Sequence, residues 1–91
     1  MNNAYGSIPS YKPWEFAYTN DILKINKGKK ADIFMSFPHS NERKDQTFKG
    51  IIENTDTDYL IVSDPANGNW YLLPLKYIDF IKFEETINTR N

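Results

Sequence analysis

The chain predicts a mostly β domain, a small five-stranded SH3-like or Sm-like barrel preceded by one short helix and an N-terminal tail. Three observations carry that expectation. From Lys29 onward, apolar and polar residues alternate with a period of two in short runs. The runs are separated by turn formers, among them Thr55-Asp56-Thr57-Asp58 and Asp64-Pro65-Ala66-Asn67-Gly68-Asn69. A single helix-like stretch precedes them all, and closing a sheet of such strands removes the edges that invite aggregation.

The elements follow in order. Residues 1–18, "MNNAYGSIPSYKPWEFAY", hold Gly6, Pro9 and Pro13 without a regular period and read as a tail. Trp14, Phe16 and Tyr18 are too apolar for solvent alone, so this end is expected to dock on the domain or on a partner. In "TNDILKINKG" Thr19 or Asn20 can cap a helix, Asp21 suits its positive end, and Gly28 can close it. Ile22, Leu23 and Ile25 would form its apolar side. About two turns do not persist alone in water, so the helix must lie on something.

"KKADIFMSF" is the first strand, with Ala31, Ile33, Met35 and Phe37 on one face. "HSNERKDQ" is a polar loop. "TFKGIIEN" is the second strand, with Phe48, Gly50 and Ile52 opposite Lys49 and Glu53, and Gly50 marks a sharp bend or a close backbone approach. "YLIVS", "WYLLP" and "KYIDFIKF" are the third to fifth strands, Pro74 ending the fourth. Alternation puts Asp79 on the outer face with Tyr77 and Ile81, opposite a lysine of the adjacent strand. The expected organisation is a tail over 1–18, a barrel domain over 19–85 and a C-terminal tail over 86–91.

Composition narrows the functions. With 91 residues there is room for one core, and two Trp, six Tyr and six Phe argue against disorder over most of the length. The net charge of −1 lacks the basic excess of a chain that wraps phosphates. There is no cysteine, so disulfides and thiol chemistry are excluded. No signal peptide is read at the N-terminus, and no apolar run approaches the ~20 residues that span a bilayer. A soluble protein made in the cytoplasm is expected, with no membrane partner and no cofactor.

The residues that could do chemistry have plain structural readings. Ser63 and Asp64 could belong to a triad only with His39, the single histidine, and no glycines build a nucleophile elbow around Ser63. Asp64 to Asn69 reads instead as a hairpin turn, with proline presetting φ and Asn67-Gly68 tolerating positive φ. His39 reads as a loop residue, and one imidazole without thiols makes a poor metal site. Asp56, Asp58, Glu84 and Glu85 show no spacing that singles out an acid–base pair. No catalytic or metal residue is assigned, and the chain is read as a non-enzyme.

Lys24, Lys27, Lys29 and Lys30 form the one basic cluster. Its plainer reading is a solvated patch at the negative end of the helix dipole, and the alternative is an Sm-like RNA-binding module. Trp70, Tyr71, Trp14 and Phe16, with Lys29 and Lys30, are the candidates for an interaction surface. A tail that folds back over the aromatic residues is the competing account.

The stretches "DILKINKGKKADIFMSF" and "FKGIIENTDTDYLIVSDPANGNWYLLPLKYIDFIKFEE" resemble the spore coat protein GerQ family over about residues 21–85. The matching elements are Asn26-Lys27-Gly28 before a strand, Phe48-Lys49-Gly50-Ile51-Ile52-Glu53, Ser63-Asp64-Pro65, Tyr71-Leu72-Leu73 and Tyr77-Ile78-Asp79-Phe80. The resemblance implies a non-enzymatic coat component, made in the mother cell and laid down on the spore. It implies partners too: the cell wall hydrolase CwlJ, which such proteins keep working during germination, other coat proteins, and a spore transglutaminase that joins lysine to glutamine. Family members carry a glutamine-rich tail before the domain. Here the stretch before the helix holds no glutamine and a single lysine, Lys12, so Lys12 is the cross-linking candidate and no family lysine position carries over. An oligomer is compatible with all of this.

Overall fold

The computed structural model describes residues 13–37 and 45–89. Helix α1 (Pro13–Lys24) leads to β1 (Lys30–Ser36), β2 (Asp45–Thr55), β3 (Tyr59–Asp64) and β4 (Asn69–Pro74), then a 3-10 turn (Leu75–Tyr77) and β5 (Ile78–Phe83). All pairings are antiparallel, in the order β4-β3-β2-β1-β5. The fold class is therefore the expected one, but the sheet is not closed into a barrel. β4 pairs only with β3 and β5 only with β1, and the 3-10 turn carries the chain from one edge to the other.

α1 begins at Pro13, six residues before the expected cap at Thr19. Proline reads as punctuation in a sequence, yet in a helix's first turn its missing N–H costs nothing, because that donor has no intrahelical acceptor. The C-terminal end is as expected: Gly28 adopts φ +93°. Its N–H donates to the Ile52 carbonyl at 2.7 Å, and the Ile52 N–H donates to the Lys29 carbonyl at 2.9 Å. The helix exit is thereby joined to the middle of β2. Leu23 is buried, whereas Ile25, expected beside it, is 40% exposed.

The period of two survives folding through most of the sheet. Ala31, Ile33 and Met35 of β1 point inward with Ile52, Leu60, Val62, Leu73, Leu75 and Leu23, and these form the core. β2 is long enough to pair with β1 through Ile51 and with β3 from Ile51 onward, and Gly50 sits at that changeover. A Cβ on Gly50 would lie 2.3 Å from the Ser63 carbonyl oxygen and 2.6 Å from Val62 Cγ1, so β3 packs where a side chain would be. That is the close approach expected from the sequence.

Two bulges break the alternation. In β2–β3 the pairing passes from Ile52↔Val62 to Asn54↔Ile61, leaving Glu53 unpaired. In β1–β5 it passes from Phe34↔Phe80 to Met35↔Ile78, leaving Asp79 unpaired. The second bulge corrects the expected phase of β5. Asp79 and Phe80 both face outward, while Ile81 and Tyr77 pack against the core. Each unpaired carboxylate accepts a hydrogen bond from a serine of the neighbouring strand: Ser63 Oγ to Glu53 Oε2 and Ser36 Oγ to Asp79 Oδ2, both 2.5 Å. The lysine partner expected for Asp79 is thus a serine.

Candidate functional site

The turn Asp64–Asn69 is a structural hairpin. The Asp64 carbonyl accepts from the Asn67 and Gly68 N–H groups at 3.3 and 2.8 Å, Asp64 Oδ1 accepts from the Ala66 N–H at 2.9 Å, and Gly68 takes φ +76°. Ser63 is buried and its hydroxyl is committed to Glu53, which leaves it no geometry of a nucleophile. His39 lies outside the described residues. Asp56, Asp58, Glu84 and Glu85 are exposed, and among the described residues no group of acidic or histidine side chains is arranged to hold a metal.

The surface residues singled out in the sequence fall in separate places. Trp70 is 64% exposed on the outer face of β4, while Tyr71 turns inward and packs on Phe48 with ring centroids 5.0 Å apart. Lys30 pairs with Ile51, Ile51 with Ser63, and Ser63 with Trp70. Lys30 and Trp70 therefore lie in one row on one face, about 14 Å apart along the sheet at the usual strand spacing. Lys29 is half-buried at the helix–sheet junction, where its ammonium donates to the Thr86 carbonyl at 2.7 Å and lies 4.0 Å from Glu85. Trp14 and Phe16 belong to α1, but their side chains, like Lys12, lie outside the described residues.

Two apolar surfaces stand out, one unforeseen and one foreseen only through Trp70. A groove of about 350 Å³ runs between α1 and β5, lined by Tyr18, Ile22, Ile78, Phe80, Phe83 and Ile87 among others. Tyr18 and Phe80 are 65% and 57% exposed beside it, and Phe80 is stacked on Phe34 with centroids 4.4 Å apart. Phe80 is outside only because of the bulge at Asp79, which no local pattern announces. The second surface pairs Trp70 with Leu72, 67% exposed two residues along the same strand face. Alternation from Trp70 would have found Leu72.

One buried polar residue organises the far end of the chain. Asn26 is fully buried, donates from Nδ2 to the Ile22 and Asn88 carbonyls at 2.8 and 2.9 Å, and accepts the Asn88 N–H on Oδ1 at 2.8 Å. Its amide pairs with a backbone peptide as another peptide would. Residues 86–88 are thereby held against the end of α1, closing one wall of the groove through Ile87.

A family model described as spore coat protein (GerQ) matches residues 14–89, nearly the whole described chain. Spore coat protein GerQ of Bacillus subtilis (strain 168) is 43% identical over 81 residues, 89% of this chain and 45% of that protein. The chain spans less than half the length of that relative. The matched region contains both bulges, Gly50, Asn26 and the two apolar surfaces, so the fold and its surfaces are what the match covers. On this match the chain belongs to the spore coat protein GerQ family.

Proposed function

We propose that the chain is a structural component of the spore coat whose folded domain holds the cortex-lytic hydrolase CwlJ in place for germination. The family match over residues 14–89 carries this reading, because it takes in the whole sheet and all of the helix but Pro13. The groove between α1 and β5 supports it. Tyr18 and Phe80 stand exposed on its rim, and aromatic residues of this kind anchor protein–protein contacts. In this reading the protein is synthesised in the mother cell and deposited on the spore among other coat proteins. Its lysines, Lys12 first, then serve as amine donors to a spore transglutaminase.

Deletion tests the central claim. Spores lacking the chain are expected to lose CwlJ from coat extracts and to germinate poorly with calcium dipicolinate. Normal hydrolase levels and normal germination would sink it. Charge placed in the groove, as in Phe80→Glu or Tyr18→Glu, is expected to reproduce the loss while leaving the coat protein present. For cross-linking, high-mass species of this chain are expected in coat extracts and should diminish in Lys12→Arg. Their persistence at wild-type level would remove Lys12 from the role.

A further inference from the structure

The two edges of the open sheet are not alike. β5 carries Asp79 and Lys82, and its bulge at Asp79 interrupts the row of backbone groups that another strand could use. Charge and bulges are how natural sheets blunt their edges. β4 has neither. Its sequence Asn69-Trp70-Tyr71-Leu72-Leu73-Pro74 is uncharged, and its register with β3 runs without a break from Asp64↔Asn69 to Tyr59↔Pro74.

The free backbone groups of that edge follow from Pro74. Proline has no N–H, so its pair with Tyr59 is of the kind that exchanges no hydrogen bonds, and the alternation of an antiparallel ladder makes Ile61↔Leu72 and Ser63↔Trp70 the same kind. Trp70 and Leu72 therefore direct their N–H and C=O groups away from β3, toward the open side. Their side chains are also the two most exposed large apolar groups of β4. Half-buried Ile61, cross-strand from Leu72, continues the apolar surface onto β3.

We propose that two copies of this chain join through their β4 edges, antiparallel about a twofold axis at Tyr71, so that Trp70 of each copy pairs with Leu72 of the other. In that register Trp70 and Leu72 exchange N–H···O=C bonds in both directions, and symmetry doubles them. The side chain of Trp70 then lies beside Leu72 of the second copy on the outer face. A second copy is the occupant that the charges favour. An edge without charge meets itself with no like-charge opposition, whereas a basic or acidic strand would find no counter-charge on β4. Pro74 at one end and positive-φ Gly68 at the other limit the pairing to this short segment. Burial of two Trp70 and two Leu72 side chains with the strand edges is on the order of 1,000 Å², the small end of specific interfaces and the size of a reversible contact. The contact is isologous and closes at two copies. It lies on the opposite edge from the groove proposed for the hydrolase and does not depend on that reading.

The test is sedimentation velocity on the full chain from about 1 μM to about 1 mM. A reversible monomer–dimer equilibrium is expected. Leu72→Lys and Trp70→Lys should each weaken it at least about 100-fold, as loss of a central anchor does, while Phe80→Lys on the other edge leaves it unchanged. Circular dichroism establishes that each variant is folded. Amide exchange of the unaltered chain supplies a readout free of substitutions: the Trp70 and Leu72 N–H groups should gain protection as concentration rises. A monomer across the whole range, trimers or larger rings, a dimer that survives both β4 substitutions, or Trp70 and Leu72 amides that exchange freely in the dimer would each overturn the proposal.

Discussion

Replacing Asn26 by alanine should unfasten the C-terminal segment and cost the domain a large part of its stability. Three side-chain hydrogen bonds disappear, two donated to the Ile22 and Asn88 carbonyls and one accepted from the Asn88 N–H. Each is worth about 1 kcal/mol net, and a buried group left without a partner loses more. Asn88 is exposed enough for water to replace part of its bonding, whereas Ile22 is half-buried. The expected loss is about 2–4 kcal/mol, against a total of roughly 5–14 kcal/mol for a chain of this length. Thermal unfolding followed by circular dichroism should then show a Tm about 10–25 °C lower.

Two companion variants isolate the cause. Asn88→Ala keeps the backbone pairing and gives up only the 3.2 Å bond from Nδ2 to the Ile25 carbonyl, so it should cost less than about 1 kcal/mol. Asn26→Asp keeps the acceptor for the Asn88 N–H but turns a carboxylate toward two carbonyl oxygens. Burial and those oxygens raise the folded-state pKa of the new carboxyl above its unfolded value. A raised pKa means that stability is retained at low pH and lost as pH rises through the folded value. Asn26→Asp should therefore lie nearer the parent protein at about pH 4 than at about pH 8. If Asn26→Ala lowered Tm no more than Asn88→Ala does, the reasoning that this amide fastens residues 86–88 would be wrong.

The sheet yields three further expectations. Gly50→Ala should destabilise by about 3 kcal/mol in urea unfolding, because the new methyl meets the backbone of Ser63 rather than a side chain that could turn away; a cost below about 1 kcal/mol would mean that β3 slides freely past this point. Ser63→Ala should cost about 1–3 kcal/mol and Ser36→Ala less than about 0.5, since the two bulges have the same serine–carboxylate geometry but only the first is buried; equal costs would remove burial as the reason. Ile52→Ala, at a fully buried centre of the core, should cost about 2–5 kcal/mol with an unchanged m-value.

What could be read without coordinates was whatever neighbouring residues decide among themselves. The alternation of Ala31, Ile33 and Met35, the turn chemistry of Asp64 to Asn69 and the positive φ of Gly28 are local statements, and a glycine in mid-strand at Gly50 signals a close approach without naming Ser63 as what approaches. They gave the strands, their order along the chain, and Trp70 and Tyr71 as a pair of which at least one faces outward; the structure makes it Trp70. The helix start was misplaced because proline ends one kind of segment and opens another, and only the surrounding structure selects between them. Leu72 lay within reach of the same alternation that exposed Trp70. Phe80 and Asn26 did not.

The chain by itself determined that this protein is a sheet of five short strands entered through one helix, because periodicity and turn residues act over a few positions and survive packing. The tertiary structure alone decided that the sheet stays open, that Asp79 is the residue left over in the pairing of β1 with β5, and that Asn26 is clasped to Asn88. Each of these is settled by the register of a partner far away in sequence. A one-residue shift there reverses which face a side chain occupies, and nothing in the side chain's own neighbourhood records it.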